Sequence, residues 1–190
     1  MGQKIRPDSF RLGITKDWNA RWYAGKSFAA KLQEDVVIRK IINEKIKLAG
    51  IVSVTIERSA NNAYRIFIKA AKPGIIIGRG GTGIEDLTKA ITNKLAAIQR
   101  ARAGKTSKIQ LSVNIEELKR TEISSAFIAQ SLAWELEKRM PFRRAMKKAI
   151  ELALQNHEVQ GIKIKMSGRL DGNEIARNEF LAKGALPLTT

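Results

Sequence analysis

The chain has 190 residues, 44% of them hydrophobic, and carries 35 Lys and Arg against 18 Asp and Glu, a net charge of +17. That length and apolar share suffice for one large or two small packed domains and exclude a chain disordered by composition. The absence of cysteine excludes a disulfide framework, a thiolate nucleophile and a Cys-based zinc site, and a single histidine, His157, deprives hydrolytic triads and zinc chemistry of their usual groups. His157 follows a helical stretch in LQNHEVQG and is assigned no role. So large a positive surplus repels itself unless an anionic partner neutralises it, which leaves nucleic acid or an anionic membrane. The longest apolar runs, such as Ile75-Ile76-Ile77, fall far below a membrane span, the N-terminus has no apolar signal core, and Arg6 stands where a myristoylation signal wants Ser or Thr. A cytoplasmic protein with no membrane partner, metal or cofactor is expected.

Residues 1–27 interleave Lys4, Arg6, Arg11, Lys16, Arg21 and Lys26 with Phe10, Trp18, Trp22 and Tyr23, and Pro7, Gly13 and Gly25 interrupt any period. This pattern predicts an extended N-terminal arm, either docked through its aromatics or contacting phosphates and bases. Trp18 and Trp22 stand open between packing and RNA contact. Residues 28–49 are predicted helical through Leu32, Val36, Ile42 and Ile46, widened by Ile38 and Ile41, with Gly50 as the stop. IVSVTIER and AYRIFIKA alternate as strands around an Asn61-Asn62 turn. Lys72-Pro73-Gly74 breaks the second strand, a short helical turn leads into IIGRGGTGIEDL, and a long helix runs from Ile84 to Arg102 before the strand KIQLSVNI.

The second unit begins near Lys119, with an amphipathic helix through Ile123, Phe127, Leu132 and Leu136, where Phe127 and Trp134 are read as packing residues. Pro141 opens a further helix, PFRRAMKKAIELALQ. Phe142, Met146, Ala149, Ile150 and Ala153 fall on one side of it, and Arg143, Arg144, Lys147 and Lys148 on the other, with Glu151 the one nearby acid on that side. GIKIKMSGR is a strand with Ile162, Ile164 and Met166 on its apolar face and Lys163, Lys165 and Arg169 on the other. After an Asp171-Gly172 turn, a short helical pattern is expected through Arg177.

The glycines at 78, 80 and 83 satisfy G-x-G-x-x-G, but a dinucleotide site needs a core strand running into them and an acid about 20 residues further on. Here KPGIII precedes the glycines and Arg100-Ala101-Arg102-Ala103-Gly104-Lys105 occupies the acid's place. No Gly-Lys-Ser/Thr follows, which excludes a P-loop. The tighter pattern, an apolar pair, then Gly78-Arg79-Gly80-Gly81, then an apolar helix, resembles the nucleic-acid clamp of the K-homology (KH) family. Gly78 and Gly81 let a sugar-phosphate backbone approach, the next helix offers free N–H groups, and Arg79 adds a full charge. The prefix of helix and two strands corresponds to the type 2 variant. The expected fold is α+β: a type 2 KH domain (αββααβ) over residues 28–118, its sheet covered by helices on one face, followed over residues 119–190 by an α/β domain of two helices on a small sheet.

MGQKIRPDSFRLGITKDWNARWYA, KPGIIIGRGG, FRRAMKKAI and MSGRLDGNEIAR, in that order along the whole chain, resemble the bacterial small-subunit ribosomal protein three family. The resemblance implies a structural constituent of the small-subunit head that binds ribosomal RNA, touches small-subunit ribosomal proteins ten and fourteen, and helps position messenger RNA at its entry channel through Arg143, Arg144 and Lys147. It also implies a further β segment after GALPLTT, without which the second sheet is incomplete. Lys4, Arg6, Arg11, Lys148, Lys163, Lys165, Arg169 and Arg177 are candidate ribosomal-RNA contacts. A free-standing KH regulator of cellular RNA is the alternative, against which the N-terminal signature and the second domain argue. A nuclease would want clustered carboxylates or a histidine pair. The nearest acidic pair, Glu116-Glu117, lies beside Lys119 and Arg120 and reads as a salt-bridged surface.

Overall fold

The computed structural model describes residues 3, 5–25, 27–59, 63–103, 109–118 and 124–187. They fall into two compact units, one over residues 5–118 and the other over residues 124–187 together with Gln3.

In the first unit a short helix α1 (Pro7–Phe10) and strand β1 (Ala20–Arg21) precede helix α2 (Phe28–Lys45). A 3₁₀ turn over Lys47–Ala49 ends in Gly50 at φ 67°, the left-handed stop that the glycine supplies. Strands β2 (Ile51–Ser59) and β3 (Ala63–Ala70) pair antiparallel with Ile56 opposite Ile66 and Ser59 opposite Ala63; the expected Asn61-Asn62 turn lies outside the described residues. Helix α3 (Pro73–Ile77), a 3₁₀ turn over Arg79–Gly81, helix α4 (Thr82–Ala103) and strand β4 (Gln110–Glu117) complete the unit. The sheet order is β1-β2-β3-β4, and β4 runs parallel to β3. Alternation puts Val54 and Ile56 of β2 and Tyr64, Ile66 and Ile68 of β3 beneath the helices, where they bury against Ile38 and Ile42 of α2, Ile76 of α3, and Leu87, Ile91 and Leu95 of α4. Ile109, Leu111, Val113 and Ile115 close one edge, on the single face that their alternation predicts.

Two features depart from the sequence expectation. Part of the expected extended N-terminal arm is a strand of the sheet. Ala20 and Arg21 pair parallel to Ile56 and Glu57, and the Asn19 carbonyl accepts from both the Ile56 N–H (3.0 Å) and the Arg39 guanidinium (2.7 Å). The buried row of α2 is also shifted. Leu32 and Val36 are exposed, while Glu34, Ile38, Ile42 and Ile46, at four-residue intervals, are buried together with Asp35.

The reason is an ion cluster under the helix. Arg58 of β2 donates to Glu34 (2.5 Å), to both Asp35 and the Lys31 carbonyl, and lies over the rings of Trp22 and Tyr64. Trp22 donates its indole N–H to Asp35 (2.8 Å) and Tyr64 its hydroxyl to Glu34 (2.9 Å). Trp22 is thereby a packing residue, whereas Trp18 is exposed. Burial, reinforced by the negative charge of Glu34, pushes the Tyr64 hydroxyl up to about 12. A raised folded-state value means that the native state holds this proton more tightly than the unfolded chain. Its contribution is complete below about pH 10 and is lost as pH rises towards 12. Tyr64→Phe is expected to flatten that part of the stability profile, read as the difference between wild-type and variant urea midpoints from pH 9 upward. Parallel profiles would remove Tyr64 as the cause.

In the second unit helices α5 (Ser125–Glu137) and α6 (Phe142–Leu154) pack on an antiparallel pair, β5 (Gly161–Gly168) and β6 (Arg177–Gly184). The Ser124 hydroxyl accepts from the Phe127 N–H and caps α5. Pro141 stands at the N-cap of α6, one residue before its expected place inside the helix. Leu132, Phe142, Ala145, Met146, Ile150, Ile164, Met166 and Leu170 form the core. The short helix expected through Arg177 is instead a 3₁₀ turn at Leu170–Gly172 followed by β6, because Arg177 to Gly184 finds a full ladder of partners on β5. That ladder is a tertiary gain invisible to local periodicity. No helix among the described residues is long and apolar enough to cross a membrane.

Candidate nucleic-acid interfaces

The glycine segment connects two helices. Strand β3 ends at Ala70 and α3 intervenes before Gly78, so no strand runs into the glycines and the dinucleotide reading has no scaffold. Gly78, Gly80 and Gly81 have φ of 70°, 62° and 85°, the left-handed region that side chains rarely occupy. Gly80 and Gly81 have open space where a Cβ would stand, and Arg79 is exposed, with no acidic partner among the described residues. The Thr82 hydroxyl donates to the Arg79 carbonyl (3.1 Å) and fixes the turn against the start of α4. Ile75 and Ile77 stand half exposed beside it, giving the loop an apolar flank. Gly83, just past the clamp, has the tightest surroundings of the glycines in this segment: a Cβ there would lie 2.4 Å from the Ile76 carbonyl oxygen. Its smallness lets α3 and α4 meet.

On α6, Arg143, Arg144, Lys147 and Lys148 are all exposed opposite the buried row. Glu151 does not neutralise them. Arg143 pairs with Glu179 of β6 (3.1 Å) and Lys148 with Glu135 of α5 (2.9 Å), acids far away in sequence. Arg144 and Lys147 have no ion-pair partner among the described residues. Lys163, Lys165, Arg169 and Arg177 are exposed around β5 and β6, with the Arg169 guanidinium donating to the Asn173 carbonyl (2.9 Å). Arg6 is exposed beside Asp8 (3.6 Å) and Arg11 donates to the Pro7 carbonyl (3.1 Å); Lys4 lies outside the described residues. Phe127 and Trp134 are half-buried in α5, and His157 is exposed beyond α6. Glu116 pairs with Lys69 across β4 and β3 (3.3 Å), and no His or carboxylate cluster fit for a metal occurs among the described residues.

A basic chain with a helix–G-x-x-G–helix turn on an αββααβ sheet is an RNA-binding protein of the KH class. Residues 37–123 match the KH domain family, and residues 132–190 match the family described as Ribosomal protein S3, C-terminal domain. The chain is 45% identical, over its full length, to small ribosomal subunit protein uS3 of Desulfitobacterium hafniense, of which it covers 80%. It is likewise 45% identical to uS3 of Hydrogenovibrio crunogenus and 44% identical to that of Legionella pneumophila, covering 78% and 81% of them. The chain belongs to the uS3 family of small-subunit ribosomal proteins. The family is structural and non-enzymatic; its place is the ribosome, a cytoplasmic particle in bacteria.

Proposed function

We propose that the protein holds ribosomal RNA in the small subunit and guides messenger RNA electrostatically along the exposed side of α6. The carrying observation is that helix itself. Its apolar side is locked into the core by Phe142, Met146 and Ile150, so Arg143, Arg144 and Lys147 are held outward on a rigid element, two of them with no acidic partner among the described residues. Lys and Arg so placed grip phosphates without reading bases, which suits a strand of changing sequence. Small-subunit ribosomal proteins ten and fourteen are the proposed neighbours. Lys4, Arg6, Arg11, Lys148, Lys163, Lys165, Arg169 and Arg177 are proposed ribosomal-RNA contacts, and the Gly78–Gly81 loop a phosphate clamp. The unit limits proposed are residues 28–118 and 119–190, with residues 1–27 leading in.

Replacing Arg143, Arg144 and Lys147 by Ala is expected to leave sedimentation with small subunits unchanged through a salt wash and to slow translation through a message hairpin. The salt slope for single-stranded RNA should fall by about 2, at roughly 0.7 for each lost phosphate contact. Failure of subunit assembly would make these residues ribosomal-RNA anchors and overturn the messenger role. Recovery of the unaltered protein in light fractions alone would favour a free KH regulator. In the same assays the Arg79→Asp, Gly80→Asp double variant should fold, since the space at Gly80 is open and Asp tolerates a left-handed backbone, but bind RNA more weakly. Unchanged affinity would remove the loop from the interface.

A further inference from the structure

The two-stranded sheet buries one face only. Ile164 and Met166 of β5 and Leu181 of β6 face the helices, and Glu179 on the same side reaches Arg143. The opposite face is read directly from the register, in which Lys163 stands across from Ala182, Lys165 from Phe180 and Ser167 from Asn178. All six are exposed, and no acid is among them. Phe180 shows 63% of its surface to solvent although the core of its own unit lies just across the strand. The Lys163 ammonium sits over its ring, 5.1 Å from the centroid. A large apolar ring turned outward and flanked by two cations with no acidic partner among the described residues is the chemistry that takes an unstacked base on its face and the adjoining phosphates on its ammonium groups.

We propose that the open face of β5 and β6 is a stacking platform for an unpaired RNA base, with Phe180 as the ring and Lys163 and Lys165 as the phosphate ligands. The inference rests on the reading of those two lysines as RNA contacts and adds to it the group that receives the base. A polar sheet face serving only as solvated surface would not need an aromatic at this position. A protein partner would bring carboxylates to the lysines, but a lone ring whose one apolar neighbour on its face is the small Ala182 suits one base better than a protein surface.

The test is fluorescence anisotropy of labelled oligouridine with the full chain and its Phe180→Leu, Phe180→Trp and Lys163→Met/Lys165→Met variants. Phe180→Leu should weaken binding about ten-fold, the scale of one lost base–aromatic stack, with an unchanged salt slope. Phe180→Trp should retain affinity, and the double lysine variant should lower the slope by roughly 1.4, two phosphates at about 0.7 each. Wild-type affinity in Phe180→Leu, alongside weakened binding by the α6 triple variant, would overturn the platform and leave the proposed function standing. Equal weakening by Leu and Trp, with native circular dichroism, would mean that the ring only packs the sheet. Intact RNA affinity with impaired incorporation of Phe180→Leu into small subunits would assign the face to a protein. No binding by the wild-type chain would sink the platform and the reading beneath it together.

Discussion

Replacing Arg58 by Ala is expected to cost about 3–5 kcal/mol, the loss that follows removal of one partner from a buried ion pair. Arg58, Glu34 and Asp35 are each at least nine-tenths buried, so removing the guanidinium leaves Asp35 with the Trp22 indole and Glu34 with the Tyr64 hydroxyl and the more distant Arg102 guanidinium (3.5 Å). A buried charge that loses its partner is far costlier than the pair is beneficial, and here Asp35 loses its ion pair while Glu34 keeps only Arg102. The variant also loses the packing of the guanidinium between two aromatic rings. Against a total domain stability of about 5–15 kcal/mol, such a loss brings the fold near its limit. The control is Arg21→Ala, which breaks ion pairs to Asp17 and Glu57 on a half-exposed side chain and should cost at most about 1 kcal/mol. Urea unfolding followed by far-ultraviolet circular dichroism reads both. Equal midpoints for the two variants would show that the buried cluster is no more than a surface pair in effect.

Gly83→Ala is expected to destabilise by about 2–3 kcal/mol, the upper end of overpacking costs. The added Cβ meets the Ile76 carbonyl oxygen at 2.4 Å and the Ile77 carbonyl oxygen at 3.1 Å. Both are backbone atoms, and Ile76 is itself anchored in the core, so neither can swing aside as a flexible side chain would. Relief requires α3 to move against α4, which displaces the Gly78–Gly81 turn between them. Gly74→Ala is the comparison: it lies in α3, has ordinary helical φ and meets no atom within 4 Å. That change should be neutral or stabilise by about 0.5–1 kcal/mol through the lower entropy of the unfolded chain. A Gly83→Ala midpoint at or above that of Gly74→Ala would show that the helices do not need the glycine to approach.

The αββααβ order, the alternation along β2, β3 and β4 and the apolar side of α6 follow from residue spacing, because each of these elements buries one face and its period is locally visible. The row on α2 misleads for the same reason in reverse. Glu34 and Asp35 score as solvent-facing until Arg58, more than twenty residues later, arrives beside them and makes their burial tolerable. Trp22 could be placed only through its bond to Asp35, and Arg177 to Gly184 became a strand only because β5 supplies partners for its backbone. At the candidate interfaces, the Gly78–Gly81 turn and the four cations of α6 are visible as motifs. The division of those cations into paired Arg143 and Lys148 and unpaired Arg144 and Lys147 is not, since Glu179 and Glu135 reach them through space. The outward turn of Phe180 is likewise set only by the register of β6 on β5.

By itself, then, the amino-acid sequence determined the charge that demands an anionic partner, the periods that set which elements form, and the glycines that permit a left-handed turn. Tertiary structure alone decided which charges are spent on one another, which aromatics are buried, and which glycine lies between two backbones. Those outcomes depend on distances between residues remote along the chain, and both burial and electrostatic pairing are functions of that distance rather than of sequence separation.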